Sequence, residues 1–182
     1  MSINSRQRMD SDSFIAWAME QPETEHYELH DGEVVSMAPE RSAHGLVKGT
    51  VFMRVRSAIE QAGLPCWTYI DSMAVQVTSD TVFEPDVVVR CGTKLADDDI
   101  KITDPLIVIE VLSPSTRVRD MKTKLAGYFR PASLRHYLII DAYARRVTHH
   151  FRDAGGSITV MILGDQPIAL DPPGIVLENI FA

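Results

Sequence analysis

The sequence predicts a mixed α/β fold of the α+β kind, with helices flanking a mixed β-sheet and a hairpin near the N-terminus. Two nearly continuous apolar runs, PDVVVR and LIVIEVL, are typical of strands buried on both faces. A single apolar stripe at helical spacing indicates one long helix, and Asp31-Gly32 between two strand-like runs indicates the hairpin. With 182 residues, 45% of them hydrophobic and 24% charged, the chain is expected to form a single domain over 1–182.

The N-terminal half begins with a short helix over 11–21, capped by Ser11 or Ser13 and ended by Pro22. The hairpin HYELH, Asp31-Gly32, EVVSM follows. The long helix is predicted over 42–63, and Gly63 is a typical C-terminal stop. Its apolar stripe consists of Val47, Val51, Val55, Ala58 and Ala62.

Strands are then expected at CWTYI, MAVQV, PDVVVR and LIVIEVL. The connection 91–105 is polar, and its three adjacent acids at 97–99 are expected to form a solvated loop rather than a metal site. A helix over about 116–130 ends at Pro131. RHYLIID, RVTHHFR and SITVMIL predict a meander of strands, and the proline-rich tail predicts an edge strand or coil.

Several protein classes are excluded by missing features. No apolar run has the roughly 18 residues of a membrane span, and no apolar stretch follows the N-terminal basic residues as in a secretory signal. GxxxxGK[ST], GxGxxG, HExxH and GxSxG are absent, which argues against P-loop proteins, Rossmann dehydrogenases and zincins. Cys66 and Cys91 are expected to be reduced thiols of a cytoplasmic protein.

Charge is distributed unevenly. The chain carries a net charge of −7, but the stretch 117–152 holds nine basic residues and two acids. Thirteen of the eighteen basic residues in the chain are arginines, which suit bidentate contacts with phosphate. The stretch is therefore a candidate nucleic-acid-binding surface, represented by Arg117, Arg119, Arg145 and Arg146.

Two acids stand in apolar strand contexts. Glu110 lies inside LIVIEVL, and Asp86 precedes three valines. Each alone is compatible with a carboxylate that points to solvent or pairs with an arginine. Together, on adjacent strands, they would hold Mg²⁺ or Mn²⁺, with the carbonyl of Val111 as a third ligand.

The helix after Glu110 carries Asp120, Lys124 and Tyr128 at steps of four, hence on one face. An ordinary ion pair on a solvated surface is the simpler explanation. The short link 113–116, however, keeps the start of the helix near the carboxylates. Lys124 is therefore a candidate for orienting a water molecule and offsetting charge at phosphorus.

The order Pro85-Asp86, then EVLSPST from Glu110, then Asp120-x-x-x-Lys124-x-x-x-Tyr128, resembles the Uma-two family of predicted restriction endonucleases, in the PD-(D/E)XK nuclease superfamily. The hairpin YELHDGEVVSMAP and the following His44 also resemble its N-terminal block. The resemblance covers about residues 26 to 152.

The resemblance implies a restriction endonuclease-like core and metal-dependent hydrolysis of phosphodiesters. Asp86 and Glu110 correspond to metal ligands. The superfamily lysine would stand two residues after Glu110, where this chain has Leu112, so its role passes to Lys124 on the following helix. The family pattern also implies a supporting acidic role for Glu33 or, alternatively, for Glu28.

Further residues receive supporting or structural roles. His44 flanks the apolar stripe and is either a core or capping residue or part of the site, and Asp120 and Tyr128 support Lys124. His149 and His150 point to opposite faces of a strand and are expected to be structural.

The expected function is that of a Mg²⁺- or Mn²⁺-dependent endonuclease acting on DNA. The alternative is a non-catalytic nucleic-acid-binding or protein-interaction module on the same fold, which the net charge of −7 favours. A DNA substrate, no membrane partner, a cytoplasmic location and a homodimer complete the expectations.

Overall fold

The computed structural model of the chain describes residues 8–71, 73–112 and 119–181, with the backbone alone for 119–123. The helices are α1 (Ser11–Ala18), α2 (Ser42–Ala62) and α3 (Arg119–Tyr128). The strands are β1 (Tyr27–His30), β2 (Glu33–Ser36), β3 (Cys66–Ile70), β4 (Ala74–Thr78), β5 (Thr81–Phe83), β6 (Val87–Cys91), β7 (Lys101–Ile102), β8 (Ile107–Val111), β9 (His136–Asp141), β10 (Arg146–Arg152), β11 (Ile158–Leu163), β12 (Ile168–Leu170) and β13 (Ile175–Leu177).

The strands form two main sheets. The larger has the order β11-β10-β9-β8-β6-β3 and is antiparallel except for the parallel pair β8–β9. The second has the order β2-β1-β5-β4-β7. Helix α2 packs on one face of the larger sheet, and the second sheet and α3 pack on the other. The predicted mixed sheet, flanking helices and N-terminal hairpin are confirmed.

The apolar runs of β6 and β8 explain why these strands occupy the centre. Val87 and Ile109 face α2, whereas Val88 and Val108 face the second sheet, and all four are buried. Alternate residues of each strand therefore enter different apolar clusters, which is the pattern expected of strands covered on both faces.

The sequence predictions for helices α1 and α2 hold, with small differences at the helix ends. Val51, Val55 and Ile59 are the buried apolar residues of α2, and Gly63 ends the helix in the left-handed conformation at φ 64°. Helix α1 ends at Ala18 rather than at 21. Its cap is Asp10, whose carboxylate accepts the Ser13 N–H at 2.7 Å, rather than either serine.

The expectation of two reduced cysteines is wrong, because Cys66 and Cys91 form a disulfide. The two residues lie directly opposite each other in the antiparallel pair β3–β6. A sequence separation of 25 residues carries no sign of this pairing, which depends on the strand register.

The tail is more ordered than predicted. Strands β12 and β13 form a hairpin around Pro172 and Pro173, and their alternate residues enter the core beside α2. The buried side chains are Ile168, Leu170, Ile175 and Leu177. The short strands β5 and β7 were also absent from the sequence prediction, whereas the acids at 97–99 are exposed in a loop, as expected. None of the described helices is long and apolar enough to cross a membrane.

Candidate functional site

The register of β6 and β8 brings the two candidate acids together. Val87 pairs with Ile109 in an antiparallel ladder, so the next position along each strand places Asp86 beside Glu110. The Val111 N–H donates to Asp86 Oδ2 at 2.5 Å, which fixes the Asp86 carboxylate at the end of the strand. Both side chains therefore lie at one end of the larger sheet.

Two side chains of α3 contact the Glu110 carboxylate. Lys124 Nζ lies 3.1 Å from Glu110 Oε1, and the Tyr128 hydroxyl donates to the same oxygen at 2.7 Å. Burial raises the pKa of Glu110 to about 7, with Lys124 opposing the shift and the negative charge of Asp86 adding to it. Glu110 therefore holds its proton more strongly than a solvated glutamate, and a positive charge placed nearby would favour its ionised form.

Lys124 is buried between two carboxylates. Its ammonium lies 2.8 Å from Glu28 Oε1 as well as beside Glu110. Burial acts to lower the pKa of Lys124, but the two carboxylates outweigh it and raise the pKa well above its usual value. Lys124 is thus a fixed cation within the site, and the solvated surface pair considered from the sequence does not describe it.

Glu28, rather than Glu33, lies at this site. It is buried on β1 and accepts the Glu84 N–H at 2.9 Å, with His30 Nε2 also 2.9 Å away. Burial opposes its ionisation, but Lys124 and His30 together lower the pKa of Glu28. Glu33 is exposed on β2 next to the hairpin turn, opposite His30.

A glycine sets the close approach of α3. A Cβ at Gly127 would lie 2.5 Å from the Phe83 ring, so only glycine allows α3 to sit this near to β5. The Phe83 ring also packs edge-on against Tyr128 at 5.0 Å. Gly127 thereby positions both Lys124 and Tyr128 over Glu110.

The first turns of α2 approach Asp86 from the other side. His44 Nε2 donates to the Val111 carbonyl oxygen at 2.8 Å and lies 3.5 Å from Asp86 Oδ2. The bond to Asp86 raises the pKa of His44 to about 9 despite burial. The Val111 carbonyl, a candidate metal ligand from the sequence, is therefore engaged by His44.

Lys48 is a second buried lysine that the sequence analysis missed. Its ammonium lies 2.6 Å from Glu40, 2.5 Å from Asp71 and 3.3 Å from Asp86. The sequence did contain a feature that could have indicated Lys48, because this lysine follows His44 by four residues and interrupts the apolar side of α2. Glu40 and Asp71 left no comparable signal, since they lie in connections outside the regular elements.

A metal-ligating set exists around Asp86. Ligand atoms of Glu40, His44 and Asp86 all lie within 4.8 Å of one another. His44 Nδ1 is buried and lies 3.2 Å from Glu40 Oε2 without the geometry of a hydrogen bond. Carboxylates with one imidazole suit Mn²⁺ better than Mg²⁺, which prefers oxygen ligands alone.

Negative charge exceeds positive charge at the site. With every carboxylate ionised and His44 protonated, five negative charges would face three positive ones, and the neighbouring carboxylates add to burial in raising the pKa of Glu110. One divalent ion would remove this excess of negative charge. The groups counted are Glu28, Glu40, Asp71, Asp86 and Glu110 against His44, Lys48 and Lys124. The donor set and the charge therefore both fit a divalent cation.

The predicted arginines are only partly described. Arg117 lies outside the described residues, and Arg119, like Asp120, lies in α3 where only the backbone is described. Arg145 pairs with Asp165 at 2.7 Å, whereas Arg146 is exposed at the start of β10. The turn before β10 lies at the same end of the sheet as Glu110, because β9 runs parallel to β8.

The adjacent histidines of β10 lie in the interior. His149 Nε2 is 2.9 Å from His136 Nδ1, and His150 stacks on Tyr137. Both are buried and remote from Asp86 in the sheet order, in agreement with the structural role expected for them.

The fold and the acid–lysine arrangement define a protein with the nuclease fold of restriction endonuclease-like proteins. The family profile described as "Uma2: Putative restriction endonuclease" matches residues 11–178. The chain therefore belongs to the Uma2 family, as the resemblance of its motifs predicted.

Known proteins similar to this chain extend the comparison. A crystal structure described as a putative nuclease belonging to DUF820, from Anabaena variabilis ATCC 29413, superposes with a TM-score of 0.76 at 13% identity. The match covers 95% of this chain and 97% of that one, and at this identity it establishes the shared fold alone.

Two relatives come from Synechocystis sp. (strain ATCC 27184 / PCC 6803 / Kazusa). The uncharacterized protein slr1290 is 25% identical over 150 residues, 81% of this chain and 77% of its own. The uncharacterized protein sll1609 is 28% identical over 134 residues, 72% of this chain and 75% of its own.

Proposed function

We propose that this protein is a metal-dependent endonuclease that hydrolyses phosphodiester bonds of DNA, with residues 1–182 as one catalytic domain. The observation that carries the proposal is the convergence of Asp86, Glu110 and Lys124 at one end of the larger sheet. The two acids can hold a divalent cation and the lysine can stabilise negative charge beside it, which are functions that metal-assisted phosphodiester hydrolysis uses.

Asp86 is the residue common to both candidate ligand sets. The sequence pairs it with Glu110 and the Val111 carbonyl, whereas the structure also offers Glu40 and His44 beside it. A bound Mg²⁺ or Mn²⁺ supplies a water of lowered pKa and polarises the scissile phosphate. The protein contributes a carboxylate held in place by the Val111 N–H and by His44.

Lys124 is proposed to orient the attacking water and to stabilise charge that develops at phosphorus. Its ammonium is fixed by Glu28 and Glu110, so little reorganisation is needed when the charge appears. Tyr128 holds the Glu110 carboxylate through its hydroxyl. Asp120 and His44 stay predicted supporting residues, and Glu28 takes the supporting role that the sequence offered to either Glu33 or Glu28, because Glu33 is exposed away from Lys124.

DNA phosphates flanking the cut are proposed to contact the basic stretch 117–152. Arg146 supports this, because it is exposed at the same end of the sheet as the acids. Arg117, Arg119 and Arg145 remain part of the prediction. The homodimer and the cytoplasmic location expected from the sequence also stay predictions.

Cleavage of supercoiled plasmid in the presence of Mg²⁺ or Mn²⁺ tests the proposal directly. We expect Asp86→Asn and Glu110→Gln each to lower the rate by about a hundredfold or more. Glu60→Gln, at an exposed acid of α2, is the matched control and should cleave normally. Equal cleavage by all three variants would mean that the activity does not use this site.

Calorimetric titration with Mn²⁺ separates the two ligand sets. Asp86→Asn should abolish binding in either case. Loss of binding in Glu110→Gln assigns the metal to Asp86 and Glu110, whereas loss in His44→Ala assigns it to Glu40, His44 and Asp86. Mn²⁺ binding that survives Asp86→Asn contradicts both assignments.

The second candidate function is a non-catalytic module that binds nucleic acid or protein. It is favoured by the burial of both site lysines among carboxylates, an arrangement that is also compatible with a purely structural network. DNA binding without cleavage, in Mg²⁺ and in Mn²⁺, would support this alternative over the enzyme.

A further inference from the structure

Among the residues that the structure describes, strand β11 is the last strand of the larger sheet and pairs with β10 alone. The pairing with β10 runs along the whole length of β11. Its large apolar side chains are nevertheless exposed to solvent, at 47% for Ile158, 54% for Val160, 39% for Met161 and 69% for Ile162. Ile158, Val160 and Ile162 alternate onto one face of the strand and together expose roughly 300 Å² there, and apolar patches of this size are often functional.

The strand also lacks the features that protect exposed edges. Residues 158–163 read ITVMIL, with no charged residue and no proline. Natural edge strands usually carry a lysine, a proline or a bulge that prevents pairing with another chain. The ladder between β10 and β11 runs without a register shift, so the edge is regular enough to accept a further strand.

We propose that β11 is a homodimer interface at which a second copy of this chain adds its own β11. Pairing across a two-fold axis runs the two strands antiparallel and gives a continuous sheet of twelve strands. Two copies of β11 are compatible as neighbours, because their uncharged apolar side chains would lie beside one another and no like charges would face each other.

The proposed interface is separate from the candidate nuclease site. Strands β9 and β10 lie between β11 and β8, the strand that carries Glu110. The dimer is therefore proposed independently of the nuclease function, and the substitutions that test one are not expected to alter the other.

Sedimentation velocity over a range of protein concentrations tests the proposal. The unmodified chain should sediment as a dimer at high concentration and dissociate on dilution, since the patch is small for an interface. Ile162→Lys and Val160→Lys should each shift the protein to monomer at every concentration. Met53→Lys, at a 60% exposed apolar residue of α2, is the matched control and should leave the dimer intact.

Circular dichroism should show that the monomeric variants remain folded, since both positions are exposed. Hydrogen exchange gives a second measurement that needs no variant. The amides of 158–163 should exchange more slowly at high than at low protein concentration, because strand pairing occupies the outer edge. A chain that is monomeric at all concentrations, or a dimer unaffected by Ile162→Lys, would overturn the proposal.

Discussion

Replacement of Lys124 by Met removes the cation that Glu28 and Glu110 share. Its ammonium lies 2.8 Å from the first carboxylate and 3.1 Å from the second, and all three side chains are largely buried. Removing one partner of a buried ion pair costs about 3–5 kcal/mol, because a charge is left uncompensated. We therefore expect Lys124→Met to lower the free energy of unfolding by about that amount at neutral pH.

The decrease in the free energy of unfolding caused by Lys124→Met should depend on pH. The pKa of Glu28 is lowered in the folded protein, so its ionised form contributes stability above its unfolded pKa, and this contribution is lost as the pH falls through the folded value. Without Lys124 that contribution disappears. The difference between the two proteins should therefore shrink as the medium is acidified below about pH 4.5, the usual range of a glutamate.

Urea denaturation followed by circular dichroism measures both effects. Lys101→Met is the control, because Lys101 pairs with the exposed Asp12 and such pairs contribute about 0–1 kcal/mol. The double variant Lys124→Met/Glu28→Gln should recover part of the stability. If Lys124→Met is no less stable than Lys101→Met, the buried network described for the site is incorrect.

Three further substitutions have defined outcomes. Gly127→Ala should destabilise the protein by about 1–3 kcal/mol in thermal unfolding, whereas Gly49→Ala, where a Cβ meets no atom within 4 Å, should not. Burial lowers the pKa of His136 and His149 from 6.5 to about 4 in the folded protein. As the pH falls, the unfolded chain therefore binds protons at these histidines before the folded protein does. The free energy of unfolding should consequently fall by about 1 kcal/mol per histidine as the pH is lowered from about 7.5 to 5.5. His149→Leu should reduce this slope in denaturation measurements, and an unchanged slope would contradict the assignment. Arg146→Glu should weaken DNA binding for all sequences and reduce its salt dependence by about one phosphate contact in fluorescence anisotropy.

Local sequence patterns determined most of the fold. The continuous burial of β6 and β8, the stripe of α2 and the glycine after it depend on residues near one another in the chain, so the local sequence pattern reports them directly. The same local reasoning identified Asp86 and Glu110, because a carboxylate inside an apolar run requires compensation wherever the strand is placed.

Only the tertiary structure decided which groups provide that compensation. Glu28 and Glu33 stand on the same hairpin, and the packing of β1 against β5 buries one while the other stays exposed. The positions of Lys48 and Asp71 beside Asp86, and the disulfide between β3 and β6, likewise depend on strand register and layer packing. Periodicity reports that a side chain is buried, but the partner it meets is brought from a distant part of the chain, and no local pattern contains that information.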